Sequence, residues 1–272
     1  MKLIDVHAHL ETKRFEKDLD EVIARAREKK MVVINAGVNP VTNRRALEIA
    51  SDDKYKDVVK VSFGMYPIDA LAKEVKSGES DGFLRDIEKF DVDEEIKWIE
   101  LHKNDCVAIG EIGLDYNFED FQTDEAREMQ KIVFRKLLKL AKKIKKPVII
   151  HSRKAELDAI EILESDFKGG KVIMHCFNGK KSLIQRGVDN GWFFSVPPVI
   201  TRLQHFQTLV EMVPLKQILT ETDSPYLSPV AGTRNEPANV SVTLVEIAKI
   251  KKISEKEVAE QIFNNAKTLF NI

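Results

Sequence analysis

A closed (β/α)8 barrel is the fold that this 272-residue sequence predicts, and three observations carry the prediction. Short runs that are apolar throughout alternate with longer amphipathic stretches, the pattern of parallel strands buried on both faces and separated by helices. There are eight such runs, and the length suits one barrel, which typically needs ~250 residues. The first run is not followed by a glycine-rich phosphate loop, which counts against a doubly wound open sheet.

Taken in order, "LIDV" opens the chain as the first strand. The stretch 12–30 then places Phe15, Leu19, Val22, Ile23 and Ala26 on one helical stripe. "MVVINAG" and "VVKVSFG" follow as the second and third strands. Residues 69–105 are long for one connection, with a polar segment and then a helix around 83–102, and read as a helical insertion on one face of the barrel. "CVAIGEIG" is the fourth strand, and 125–146 the clearest helix, with Met129, Ile132, Val133, Leu140 and Ala141 in register. "KPVIIHS", "GKVIMHC", "WFFSV" and "QILTETD" complete the barrel. Ser254 and Glu257 form a capping box for the last helix, which turns Val258, Ile262 and Leu269 inward. No repeat or linker splits the chain, so 1–272 reads as a single barrel domain.

Composition narrows the function classes. With 43 basic and 44 acidic residues the net charge is −1, so nothing global marks a nucleic-acid binder, although a local patch remains compatible. Two cysteines, Cys106 and Cys176, make no disulfide framework and suit a reducing compartment. No basic-then-apolar signal opens the sequence and no apolar run spans a membrane, so the expected location is the cytoplasm.

Four of the six histidines, His7, His9, His151 and His175, fall at or just beyond predicted strand ends, as do Glu111 and Asp223. In a (β/α)8 barrel all strand ends meet at one rim, which gathers residues distant in sequence. His7 and His9 stand two apart on a strand and so point to the same side. Any one of the six could be a satisfied core residue. Six together are hard to explain by packing, since charged side chains are rarely buried unpaired, and the set reads as a metal site. His102 and His205 lie in helical segments and read as packing or surface residues. Strand parity turns Cys176 away from the site and puts Asp5 and Glu221 on its side, where either could orient a histidine. For Asp5, a plain buried hydrogen-bonded carboxylate is an equal reading.

With these residues in hand, the chain resembles the TatD-related metal-dependent deoxyribonucleases of the amidohydrolase superfamily. The resemblance rests on "IDVHAHL", "IGEIGLDY", "VIIHSR", "IMHCFNG", "LTETDSPYL" and "RNEP", in that order over essentially the whole chain. It implies a TIM-like barrel that binds two divalent metal ions and hydrolyses phosphodiesters, commonly DNA from an end. By motif, His7, His9 and Asp223 would hold one ion, His151 and His175 the other, and Glu111 would bridge them. The sequence departs from the family where "GMYP" puts Tyr66 in place of a histidine held to touch substrate, and where Asn117 replaces an aromatic or histidine.

Two divalent ions about 3.5–4 Å apart activate a shared water and clamp the attacked phosphate. Asp223 would accept the proton of that water, with Glu111 as the second catalytic carboxylate. Zinc, manganese and magnesium are the candidate ions; mixed nitrogen and oxygen ligands favour the first two. Arg153 and Arg234 are the expected phosphate contacts, because guanidinium matches phosphate oxygens. Tyr116 and Tyr226 sit near the rim, either to stack a base or to pack loops. The lysines at 142–146 read as a solvated surface at the opposite pole. The expected substrate is DNA, single-stranded or at an end, with no membrane or protein partner. The alternative is a hydrolase of a lactone, amide or phosphotriester on the same scaffold, since fold does not fix function. An idle metal-binding scaffold is a third reading, disfavoured by the complete ligand set.

Overall fold

The computed structural model describes residues 1–71, 88–118 and 123–272. Eight parallel strands follow one another around a single sheet in sequence order: β1 Leu3–Ala8, β2 Met31–Ala36, β3 Val59–Phe63, β4 Ala108–Gly113, β5 Val148–His151, β6 Val172–Met174, β7 Phe193–Val196 and β8 Ile218–Thr220. A helix follows each strand: α1 Leu19–Glu28, α2 Pro40–Ser51, α3 Val92–Leu101, α4 Asp124–Ile144, α5 Glu156–Asp166, α6 Lys181–Asp189, α7 Gln204–Met212 and α8 Val240–Lys251, with α9 Glu255–Phe270 added at the end. β1, β4 and β6 are buried along their whole length, as strands covered on both faces must be. The barrel with alternating helices is therefore the architecture that the strand pattern predicts.

Several local expectations need adjustment. α1 begins at Leu19, not near residue 12; Phe15 is buried, but in turns ahead of the helix. In α4 the buried stripe runs through Ala126, Gln130, Val133, Phe134, Leu137 and Ala141, whereas Met129 and Ile132 are 44% and 50% exposed. Apolar character alone put those two in register; the stripe instead admits Gln130, whose amide is satisfied by main chain. Of the helix expected around 83–102, Val92–Leu101 is helical, and 83–87 lies outside the described residues. The capping box at Ser254 and Glu257 is present, and Val258, Ile262 and Leu269 are buried.

β8 meets β1 through the rim more than along a ladder. Ala8 and Ser224 form a parallel bridge, the His9 N–H donates to the Ser224 carbonyl at 2.7 Å, and the Asp223 N–H donates to the His7 carbonyl at 2.9 Å. Lower down, Thr220 Oγ1 donates to the Ile4 carbonyl at 2.6 Å. Two glycines permit close main-chain approach behind the site. A Cβ at Gly64 would lie 2.3 Å from the Glu111 carbonyl oxygen, and one at Gly113 (φ +142°) 2.0 Å from that of His151.

Candidate metal centre

The strand ends bring all six expected ligands to one place. β1 supplies His7 and, just past its end, His9; β4 supplies Glu111; β5 ends on His151; His175 and Asp223 follow β6 and β8. Three overlapping groups, His7–His9–Glu111, His7–His175–Asp223 and Glu111–His151–His175, each hold ligand atoms within 4.8 Å of one another. Glu111 divides its oxygens between two sides. Oε2 lies 3.5 Å and 3.7 Å from Nε2 of His7 and His9. Oε1 lies 2.6 Å from His151 Nδ1 and 3.8 Å from His175 Nε2. Asp223 Oδ1 is 3.6 Å and 3.4 Å from Nε2 of His7 and His9. Asp223 takes a left-handed backbone, φ +54°, a conformation that aspartate tolerates better than most residues.

The groups behind the ligands determine which nitrogens face inward. His9 Nδ1 lies 2.9 Å from the Ala36 carbonyl, which accepts its proton and leaves the Nε2 lone pair facing the cluster. His175 Nδ1 lies 2.6 Å from Glu221 Oε2; Glu221 also accepts from Ser195 Oγ and the Cys176 N–H. Glu221 is thus the carboxylate that orients a histidine. Asp5 instead accepts from the N–H groups of His7 and Thr222 and the Thr222 hydroxyl, and is a buried locking group of the β1–β8 seam. Cys176 has φ +43°, so strand parity does not extend to it, because β6 stops at Met174. Burial first, then nearby carboxylates, push its thiol well above the ordinary range, which opposes a thiolate role.

Charge at the centre is strongly coupled. Burial alone would raise Glu111; His151 and His7 outweigh it and hold the carboxyl well below its usual value. Burial would also raise Asp223, but His9, His175 and His7 lower it. Burial would lower His175, yet Glu221 and the neighbouring carboxylates lift it to about 9. Burial dominates at His7, with His175 adding to it, and its pKa falls. Two facing imidazole nitrogens, His7 and His9 Nε2 at 3.1 Å, amid ionised carboxylates suit a shared divalent cation. The donor set therefore fits a divalent metal.

The remaining expected residues are placed differently from one another. Arg153 stands beside His151: its Nε donates to Asp115 Oδ2 at 2.9 Å, and its Nη2 forms an ion pair with the same oxygen at 2.8 Å. Tyr66 is 9% exposed, and its hydroxyl donates to the same oxygen at 2.5 Å. Arg234 is tied instead to Asp18 and the Arg14 carbonyl, over the Phe15 ring. The Tyr116 hydroxyl donates to Asp158 at 3.0 Å, a packing role. Tyr226 lies edge-on to His9, ring centroids 6.3 Å apart. His102 stacks on Trp98, and His205 Nε2 lies 2.9 Å from the Phe177 carbonyl; both are packing residues.

Two residues escaped the sequence reading. Glu11, with a buried side chain, places Oε1 3.4 Å from His9 Nδ1. Asp115 is wholly buried and contacts His151, Arg153 and Tyr66. Its signal was available, since it lies two residues past the end of β4, at the same rim as the ligands.

The family model described as "TatD related DNase" matches residues 4–271. The chain belongs to the TatD-related DNase family. Among TatD relatives, human deoxyribonuclease TATDN3 is 36% identical over 268 residues, covering 98% of this chain and 94% of that protein. An uncharacterized metal-dependent hydrolase of Methanocaldococcus jannaschii is 33% identical over 270 residues, covering 99% and 97%. The crystal structure of the TatD homologue YjjV of Escherichia coli superposes with a TM-score of 0.81 at 26% identity, covering 99% of this chain and 98% of that one. Among the described residues, no helix is long and apolar enough to cross a membrane.

Proposed function

We propose that this chain is a metal-dependent hydrolase of phosphodiester bonds, acting on DNA. The observation that carries the reading is the division of Glu111 between His7 and His9 on one oxygen and His151 and His175 on the other. That arrangement suits two divalent ions, one held by His7, His9 and Asp223 and one by His151 and His175, with Glu111 shared. Zinc or manganese suits these nitrogen and oxygen donors better than magnesium. Bound there, such ions supply Lewis acidity and lower the pKa of a water.

The chain's own groups do the rest. Asp223, kept ionised by His9, His175 and His7, accepts the proton of the attacking water. Glu111 is the second catalytic carboxylate, through its place between the two sides. Arg153 directs its remaining edge to a phosphate oxygen. Tyr66 acts at the substrate side through Arg153, to which its hydroxyl is hydrogen-bonded at 3.1 Å. Arg234, engaged by Asp18, is the weaker candidate for a phosphate contact. With one arginine beside the ligands among the described residues and a net charge of −1, few phosphates are engaged, which favours a single strand or an end. We take 1–272 as one catalytic domain; the connection 69–105, expected as an insertion, supplies in Val92–Leu101 the helix of the third β/α unit. We place it in the cytoplasm, because Cys106 and Cys176 are free thiols.

The test is direct. Metal-loaded protein is incubated with single- and double-stranded DNA, RNA, and a panel of carboxylic esters, lactones and amides. Cleavage of DNA with a shallow salt dependence is expected. Rapid turnover of a lactone or amide, with DNA untouched, would replace the nuclease reading by the small-molecule one.

A further inference from the structure

Asp115 is wholly buried, and one of its oxygens takes most of its hydrogen bonds. Oδ2 lies 2.9 Å from His151 Nε2, 2.9 Å from Arg153 Nε, 2.8 Å from Arg153 Nη2 and 2.5 Å from the Tyr66 hydroxyl. Oδ1 accepts from the Asn117 N–H at 2.8 Å. The carboxyl is held down at about 2, because His151 and Arg153 outweigh the effect of burial. Its backbone is pinned as well. The Asp115 N–H donates to Gln130 Oε1 at 2.8 Å, and Gln130 Nε2 donates to the Asp115 carbonyl at 3.0 Å. On either side, the Leu114 and Tyr116 N–H groups donate to the carbonyls of His151 and Arg153, each at 3.0 Å.

We infer that Asp115 is a positioning residue of this centre: one carboxylate sets both the ligand His151 and the phosphate-binding Arg153. The inference rests on the functional reading above and adds the device that couples its two halves. By taking the His151 Nε2 proton, Asp115 selects the tautomer whose Nδ1 lone pair faces the Glu111 side. By accepting from Nε of Arg153 and pairing with Nη2, whose hydrogen bond goes to the Tyr66 oxygen, it fixes the plane of the guanidinium, which also lies over the Phe118 ring at 4.7 Å. The Arg153 side chain remains 42% exposed, and its Nη1 makes no hydrogen bond among the described residues. That edge is the one left for an anion. Tyr66 completes the arrangement. Its single O–H is committed to Asp115 while its oxygen accepts from Arg153 Nη2, so it tightens the arginine without offering a free donor of its own.

A merely structural buried ion pair would serve stability alone. Here both cationic partners of Asp115 belong to the site, so metal affinity and strand affinity should fall together when it changes. The experiment compares Asp115→Asn, Arg153→Ala and Tyr66→Phe in the full chain. Zinc affinity is measured by competition with a chromophoric chelator. Binding of a non-hydrolysed phosphorothioate single strand is measured by fluorescence anisotropy, and thermal unfolding checks the fold. Asp115→Asn is expected to weaken one zinc equivalent about 10- to 100-fold, the range for groups that orient metal ligands. It is also expected to weaken the strand about tenfold. Arg153→Ala should weaken the strand alone, and Tyr66→Phe should do so by only a few-fold. A folded Asp115→Asn with both affinities within about twofold of wild type overturns the inference, as does loss of one without the other. If that variant does not fold, Asp115→Glu keeps the charge but displaces it by one methylene; unchanged affinities there also overturn it. Cleavage enters neither readout. If the wild-type chain binds no strand, the nuclease reading falls and the zinc measurement alone decides this one.

Discussion

On the β1–β8 side of the centre, main-chain bonds dominate: the Asp223 N–H on the His7 carbonyl, the His9 N–H on the Ser224 carbonyl, and the Ala36 carbonyl on His9 Nδ1, with the Asp5 and Glu11 carboxylates beside them. On the β4–β6 side, His151 and His175 are set by the carboxylates of Asp115 and Glu221. The donors are alike, but their supports differ. Main-chain supports cannot be removed by changing a side chain without disturbing the sheet. Carboxylate supports can, so the second side is where point substitutions separate orientation from ligation.

The largest effect should come from the one residue common to both sides. Glu111→Gln is expected to lower total metal content more than loss of any single histidine, as measured by elemental analysis of the purified variants. Two ions per chain in Glu111→Gln would break the picture of a shared carboxylate. A smaller and one-sided effect is expected for Glu221→Gln, which should weaken one of two metal equivalents about 10- to 100-fold and spare the other.

The same pair gives a pH dependence to the metal-free protein. His175 is raised from 6.5 to about 9 in the folded chain, chiefly by Glu221 working against burial. A histidine raised on folding contributes stability that is fully present below its unfolded value and lost as pH rises through the folded one. Metal-free protein should therefore lose stability between about pH 6.5 and 9, and Glu221→Gln should flatten that slope in denaturant titrations. A slope unchanged by the substitution would place the proton elsewhere. The smallest effect concerns Arg234. Its pair with Asp18 is about one-third exposed on each side, so Arg234→Ala should cost at most ~1 kcal/mol of stability and leave metal content intact. A KM increase as large as that of Arg153→Ala would show that it leaves Asp18 to meet substrate.

The strands and the six clustered residues were legible because each carries a local signal: an apolar run, then a histidine or carboxylate at its end. What supports them was less so. Glu221 could be placed by parity, being two residues from Asp223. Asp115 could not be assigned a task, because its partners Tyr66 and Arg153 lie 49 and 38 residues away and meet it only after the barrel closes. Arg234 read as a phosphate contact for the same reason, since its partner Asp18 is 216 residues distant. In α4, hydrophobicity misplaced Met129 and Ile132, while the inward position of Gln130 depends on a main chain it had yet to meet.

The seam between β1 and β8 has a consequence for how the chain is held together. Its contacts join segments more than two hundred residues apart, Asp5 to Thr222 across 217 positions. Bringing such distant ends together costs chain entropy that grows with the logarithm of the loop, and few ladder bonds repay it here. His7, His9 and Asp223 straddle that join. A cation held by them binds only the closed ring and shifts the folding equilibrium toward it, by about 2.7 kcal/mol at a hundredfold excess over its Kd. Three of the six proposed ligands would then also clasp the ring, so a chelator should lower the melting temperature as well as the rate.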